Sequence, residues 1–466
     1  MTDWETHASV QGACARIVRP WQPVGVSLSS TILYGICGES RKVKYLRRGC
    51  VRTVAWCRLR VNMSTMRSRS PGRFRTLLTV CACHVVHDGL SDVLYVFLPY
   101  WQAMLALSHS QVGVVVALYF AAMAAFQIPV GMLAERSSER LLIVVGTTLA
   151  GLGFLALGRT SSFAPLVAIL MVAGLGSAVQ HPLGASLVAK AYDRDQRRVA
   201  IGTFNFAGDL GKVIFPTLAG LALMSLRWRA VTSTIGIITV AGAILFSIAL
   251  RNSGVGRTTD PPLSSDEAVV QGRRGIHNRK GFALLSLIGV IDTMTRYGFL
   301  TFLPFLLIDR GLSEASAGMA LGLLFAGGAA GKFLCGLSAQ RFGILLTVVV
   351  TEALTCVGIL VLLLVRADFG IVLLPIIGAA LNGTSSVLYG SVADFVYPER
   401  QARAFGMFYT VVIATGAIAP PVFGVVSDFA SIEMAMVAVA VIPLLAIPLA
   451  RQVVRNMTDE RTSLRV

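Results

Sequence analysis

Four groups of polar and ionisable residues lie inside stretches of the chain that are otherwise apolar. The first is His84, Asp88 and Asp92, which recur every four residues and so share one helix face. An imidazole beside a carboxylate can take up and release protons, since histidine titrates near neutral pH. The same spacing also suits a structural hydrogen-bonded pair, with His87 as a packing neighbour. The second group is Gln180 and His181, followed by Pro182. Proline frees a backbone carbonyl, so this segment reads either as a kink lining a cavity or as a buried histidine bonded to another helix. The third is Asn205, Asp209 and Lys212. Asp209 and Lys212 are one turn apart and can neutralise each other. If the pair opens, it can exchange a proton or meet an anion. The fourth is Asp292 and Arg296, again one turn apart; a guanidinium binds the oxyanions of a phosphonate or carboxylate as a fork. Asn382, Tyr389 and Tyr409 could line the same cavity. Gln127 and Lys332 sit at equivalent points towards the ends of their apolar stretches, Asp394 reads as a gate or cap, and Glu352 has no obvious place.

An ionisable residue in hydrocarbon costs at least ~2.5 kcal/mol on insertion scales, so it faces a cavity or a partner. The composition says that hydrocarbon is the setting. The 466 residues are 55% hydrophobic and 14% charged, against about 25% charged in soluble domains. One soluble core could not bury that much apolar surface, which excludes an ordinary soluble enzyme. The residues needed for other chemistries are missing. There is no G-x-x-x-x-G-K-[ST] phosphate loop, no G-x-S-x-G nucleophile and no Cys/His cluster at zinc spacing. Neither a metal nor any other cofactor is expected, and a proton gradient rather than ATP is the expected energy source.

Twelve apolar stretches follow Arg75, and they define the domains. Residues 76–250 read as one six-helix bundle, 251–280 as a linker rich in Pro, Ser, Gly and charge, 281–450 as a second six-helix bundle, and 451–466 as a tail. The fold class is all-α integral membrane. Residues 1–75 read as a basic, disordered leader. They contain Cys14, Cys37, Cys50 and Cys57 at spacings that match no zinc pattern, and the start codon is better placed at Met63 or Met66. Cys81, Cys83, Cys335 and Cys356 lie in apolar stretches and read as packing residues.

The net charge of +17 would suggest nucleic acid in a soluble protein. Here it is distributed by loop. Arg136, Arg140, Lys190, Arg194, Arg197, Arg198, Arg273, Arg274, Arg279, Lys280, Arg400 and Arg403 all follow even-numbered stretches, and so does the basic tail. By the positive-inside rule these loops and both termini are cytoplasmic. Arg227 and Arg229 are the main exception. No nucleic-acid partner is expected; the expected partners are the lipid bilayer, protons and a small-molecule substrate, with the protein a monomer.

The halves repeat. At one constant offset Leu98-Pro99 falls on Leu303-Pro304, Gly113 on Gly318, Phe120 on Phe325, Gly131 on Gly336, Arg136 on Arg341 and Arg198 on Arg403. At an offset one residue shorter, Gly202, Phe204, Pro216 and Gly220 fall on Gly406, Phe408, Pro420 and Gly424. Two parallel six-helix repeats suit an alternating-access carrier with its site between them, near the midplane.

GMLAERSSER, Gly131 to Arg140, resembles the G-x-L-x-D-R-x-G-R-R/K loop of the major facilitator superfamily, with an echo in GLSAQRFG, Gly336 to Gly343. Glu135 stands where the pattern has Asp, Ser138 where it has Gly, and Gln340 replaces the second acid. The resemblance implies a cytoplasmic gate at Gly131, Glu135, Arg136, Arg140, Gly336 and Arg341. HVVHD (His84 to Asp88), GLGSAVQHP (Gly174 to Pro182), GLSEASAG (Gly311 to Gly318) and GVVSDFASIEMA (Gly424 to Ala435) are similar to the bacterial fosmidomycin-resistance branch. Gly211, Pro216 and Gly220 partly match an antiporter motif, G-x-x-x-G-P-x-x-G-G. The resemblance implies a bacterial inner-membrane carrier performing proton-coupled efflux of a small drug-like or anionic molecule. A proton symporter importing a small organic solute is the alternative. An intramembrane enzyme using His84, Asp88 and His181 around a metal, or a non-transporting receptor, fits less well, because neither needs two matched halves.

Overall fold

A computed structural model describes residues 71–134, 136–251, 276–396 and 401–463. Nearly all of the leader expected over 1–75, most of the linker, and Glu135 lie outside the described residues.

Among the described residues, twelve helices are long and apolar enough to cross a membrane. Span 1 is Gly72–Leu105, span 2 His109–Ala134, span 3 Glu139–Leu157, span 4 Phe163–Ala191, span 5 Val199–Leu223 and span 6 Trp228–Arg251. Span 7 is Arg279–Asp309, span 8 Glu314–Phe342, span 9 Ile344–Leu364, span 10 Ala367–Phe395, span 11 Gly406–Phe429 and span 12 Ile432–Asn456. Helices suit such apolar sequence because hydrocarbon offers no partner for backbone N–H and C=O groups, which must be satisfied within the segment. The last helix, Ala446–Ser463, runs on well past residue 450, so the expected tail is largely its continuation.

Span 4 is broken where the sequence suggests. Phe163–Ser177 and Gln180–Ala191 are separate helices, and the break falls at Ala178, the residue whose carbonyl Pro182 cannot serve. Spans 1 and 7 are central: 78% and 61% of their apolar windows are buried, against 28% for span 6. Span 6 instead exposes Ile237, Ile238, Ile244, Leu245 and Ile248 on its outer face, as a lipid-facing helix does.

The ends carrying the even-numbered loops are called here the arginine end. At the opposite end Arg229 is a helix cap. Its guanidinium donates to the carbonyls of Gly158 at 3.3 Å and Thr160 at 2.6 Å, just past span 3. Arg310 does the same past span 9, donating to Leu362 at 2.5 Å, Leu363 at 2.6 Å and Val365 at 2.9 Å. Cations belong at these unsatisfied carbonyls, which accounts for Arg229 as the exception to the loop-charge pattern.

The two repeats meet through two matched contacts. Span 2 packs on span 11, where a Cβ on Gly113 would fall on the Pro420 backbone and one on Gly424 on the backbone of His109 and Ser110. Span 5 packs on span 8, where a Cβ on Gly220 would reach Met319 N at 2.7 Å and Gly318 C at 3.0 Å. Small residues let helix backbones approach this closely. The apolar core at this end is continuous between repeats, joining Phe97, Trp101, Tyr119 and Phe120 to Phe299, Phe302, Leu303 and Phe325.

The arginine end is different. Gly131, Gly202, Gly336 and Gly406 each follow or precede one of the packed glycines by five helical turns, so they share its face. A Cβ on any of them would meet nothing within 4 Å. The repeats are therefore sealed at the opposite end and parted at the arginine end.

Candidate functional site

The polar groups of spans 1, 4 and 5 converge on Asp88. Its Oδ1 lies 3.3 Å from His84 Nε2 and 3.7 Å from His181 Nε2, and its Oδ2 lies 3.3 Å from Lys212 Nζ. Lys212 is shared, with Asp209 Oδ1 at 3.6 Å. Asp209 is closer still to Lys332 of span 8, which donates to it. A chain of alternating charge, Asp88–Lys212–Asp209–Lys332, thus crosses from one repeat to the other.

This corrects two expectations. Asp209 and Lys212 do not simply neutralise each other, because each has another partner on a different helix. Lys332 is a member of the central cluster, whereas its repeat counterpart Gln127 is 9% exposed and its Nε2 has no hydrogen-bond partner.

Hydrogen-bond inventory separates the histidines. His84 Nδ1 lies 2.8 Å from the carbonyl of Phe204, which can only accept, so Nδ1 carries a hydrogen. Its Nε2, buried without a hydrogen-bond partner among the described residues, lies 3.3 Å from Asp88 Oδ1. His87 is different. Thr147 Oγ1 donates to the Ile143 carbonyl at 2.7 Å, so it can only accept from His87 Nε2 at 2.9 Å. The remaining nitrogen of His87, Nδ1, is buried without a partner, so this ring is neutral and structural. His181, with 30% of its side chain exposed, is the accessible edge of the cluster.

Aromatic rings close one wall. Tyr409 of span 11 stacks on Tyr389 of span 10 with centroids 4.4 Å apart, and its other side lies 6.4 Å from the His181 ring, across the repeats. Gly208, which sequence reasoning missed, makes the approach of span 5 to span 1 possible: a Cβ there would stand 2.6 Å from Asp88 Oδ2 and 2.7 Å from His84 Nε2. Gly211 packs against the Val85 backbone in the same way; its part in the antiporter-like motif is explained by packing.

Other expected residues stand apart. Asp292 is 3% exposed, and no ion pair joins it to Arg296 among the described residues, although the charges of Arg296 and Lys332 reach it. Arg296 Nε is buried without a hydrogen-bond partner, and the guanidinium lies 5.2 Å from the Tyr297 ring centre. Asp92 makes no ion pair among the described residues; Lys212, Arg296 and Lys332 are the cations near enough to act on it. Asn382 donates to the Gly378 carbonyl of its own helix at 3.1 Å and packs on Gly328, so it is a packing residue. Asn205 is exposed.

Arg136 has no ion pair among the described residues, Arg341 lies over the Phe342 ring at 5.4 Å, and Glu135 lies outside the described residues. The acid anchored in this loop is Glu139. It accepts from Ser186 at 2.5 Å and Lys190 at 3.0 Å, holding span 3 to span 4 within one repeat.

His84, Asp88 and His181 each offer one ligand atom within 4.8 Å of the others, a grouping that could hold a metal ion. Lys212 already supplies a cation to the same carboxylate, so the cluster is built as an internal ion-pair network.

The family model for the Major Facilitator Superfamily matches residues 80–291 and again 285–463. The chain belongs to the major facilitator superfamily. Within the superfamily it is 26% identical to the uncharacterized MFS-type transporter YfnC of Bacillus subtilis over 80% of this chain and 91% of that one. It is 24% identical to the fosmidomycin resistance protein of Escherichia coli, over 82% of this chain and 93% of that one. Among solved structures, a bacterial homologue of the human lysosomal transporter Spinster, inward-facing and unoccupied, superposes with a TM-score of 0.71. That likeness is at 18% identity and covers 84% of this chain and 99% of the other; it shows the fold. As a superfamily member the chain is a multi-pass membrane transporter and not an enzyme.

Proposed function

We propose that this transporter couples proton uptake to efflux of a small drug-like or anionic molecule, by antiport across the bacterial inner membrane. The observation that carries the reading is the Asp88–Lys212–Asp209–Lys332 chain, which ties the two repeats together beside a pair of histidines. Rocking of the repeats must break and remake that chain. Among its neighbours, Arg296, whose Nε has no hydrogen-bond partner among the described residues, offers a guanidinium for an anion.

The arginine end, read as cytoplasmic by the positive-inside rule, is the open one. In this state a solute from the cell would enter from the cytoplasm, pass His181 and reach the cluster. A proton arriving from outside after the repeats rock would replace it, neutralising a carboxylate and releasing a lysine.

Purified protein in vesicles with an imposed pH gradient tests this. Fosmidomycin and methyl viologen, the compounds named for two similar resistance proteins, serve as anionic and cationic probes. Accumulation of a probe on the acidic side supports antiport. Accumulation on the alkaline side replaces it with symport, the alternative reading. No gradient-driven movement of either probe, with intact protein, overturns proton-coupled efflux of these two solute classes.

A further inference from the structure

Glu352 has no part in the cluster described above. It lies in span 9, a peripheral helix, is 2% exposed, and its Oε1 has no hydrogen-bond partner among the described residues. An ionised carboxylate is not left in such a place without a counter-charge.

The repeat shows what its surroundings are. The offset that carries Leu98 onto Leu303 carries Thr147 onto Glu352, His87 onto Asp292, Gly146 onto Thr351 and Val179 onto Thr384. The structure respects those equivalences. In the first repeat His87 bonds Thr147 at 2.9 Å, and Gly146 packs on Val179. In the second, Thr384 bonds Thr351 at 2.7 Å, and the charge of Asp292 acts on Glu352. A neutral His–Thr pair in one half is thus replaced by two buried carboxyls in the other, at 2% and 3% exposure.

Donor counting gives the protonation state. Thr351 Oγ1 donates to the Thr347 carbonyl at 2.9 Å, so Thr384 must be the donor in its bond to Thr351. With its one hydrogen committed there, the Thr384 hydroxyl has none to offer a Glu352 carboxylate. Buried at 2% exposure with no donor to Oε1 among the described residues, Glu352 is held as the neutral acid. The charged group acting on Glu352 among the described residues is Asp292 of span 7; span 10 presents the uncharged Thr384. Asp292 in turn sees Arg296 and Lys332.

We propose that Glu352 and Asp292 form a proton-binding site inside the second repeat, separate from the His84–Asp88–Lys212 cluster, with Glu352 holding the proton in this state. Its use in transport rests on the proton-coupled reading above; its protonation does not. Asp292 is the member that senses the inter-repeat chain, because it lies within reach of Lys332. When Lys332 is held by Asp209 its charge is compensated. When that contact breaks, the freed ammonium favours an ionised Asp292, and the proton of the pair stays with Glu352 or leaves.

Infrared difference spectroscopy on the purified full chain tests the site without a substrate. The wild type should show a protonated-carboxyl C=O band at neutral pH, shifted in heavy water. Glu352→Gln should lose it, while Thr384→Val, which removes the hydroxyl beside it, should move it to higher frequency. Both variants must elute as folded protein, and the Thr384→Val shift remains readable if Glu352→Gln does not fold. A wild type without the band, or spectra unchanged in both variants, overturns the proposal. In the same vesicles as above, a band that persists when no probe follows the pH gradient leaves the proton site standing and removes proton-coupled efflux.

Discussion

Lys332 of span 8 donates to Asp209 of span 5, the one residue of the first repeat that also shares Lys212 with Asp88. A contact between repeats is thereby continuous with the ion pairs inside one of them. Any movement that separates the repeats at this level leaves Asp209 with Lys212 alone and changes the charge seen by Asp88.

Removing either partner should expose that dependence. Lys332→Ala or Asp209→Asn leaves a half-buried charge short of a partner, at a cost on the order of 2 kcal/mol, less than for a fully buried pair. The double variant should cost less than the sum of the singles, with a coupling energy of about 1–3 kcal/mol. Thermal unfolding of the four proteins in detergent measures it, and strict additivity would mean that the contact does not hold in solution.

The glycines report the state of the protein. Gly220→Leu and Gly318→Leu place bulk where the repeats touch, and should force the opposite end apart. Gly131→Leu and Gly336→Leu meet open space here, and should leave this state stable but stop the arginine end from closing. Labelling of single cysteines by an impermeant maleimide distinguishes the two, since the first pair should raise reactivity at the opposite end and the second pair at the arginine end.

Asp428 is a cap donated by one repeat to a helix of the other. Its carboxylate accepts from the backbone N–H groups of His109 at 2.7 Å and Ser110 at 2.9 Å, at the start of span 2. Asp428→Ala should cost about 1 kcal/mol as a lost cap. It should also shift the population away from the state sealed at that end, seen as higher cysteine reactivity near Ser110.

The two histidines of span 1 should differ in nitrogen-15 spectra at neutral pH. His87 should show a hydrogen on Nε2 alone, and His84 should show one on Nδ1, bonded to the Phe204 carbonyl. Asp88→Asn should change the His84 Nε2 resonance, 3.3 Å from the altered group, and leave His87 unchanged.

Arg296→Ala should raise the KM for fosmidomycin at least tenfold while leaving methyl viologen transport within a factor of three. Arg296→Lys should not restore the anion, because a lysine lacks the fork. Equal effects on both probes would assign Arg296 to structure.

The amino-acid order alone was enough for the twelve spans, the break before Pro182 and the two matched halves, because each is a local property: hydropathy along a helix, a missing N–H, a constant offset. It also named the polar residues of the cluster, since few charges survive inside apolar spans. It could not say which of them meet. His84 and His87 look alike in sequence, yet one faces Asp88 and a carbonyl while the other faces a threonine on span 3. Lys332 read as a residue near the end of span 8 until span 5 brought Asp209 to it. Asp292 and Arg296 have ion-pair spacing and no ion pair, while Glu139, four residues beyond the expected acid of the gate loop, is the one anchored to Lys190. Gly208 gave no signal, because its importance is the absence of a side chain against groups on another helix. Partners between helices depend on how far backbones approach and how each helix is rotated, and only the packing of the two repeats determines that.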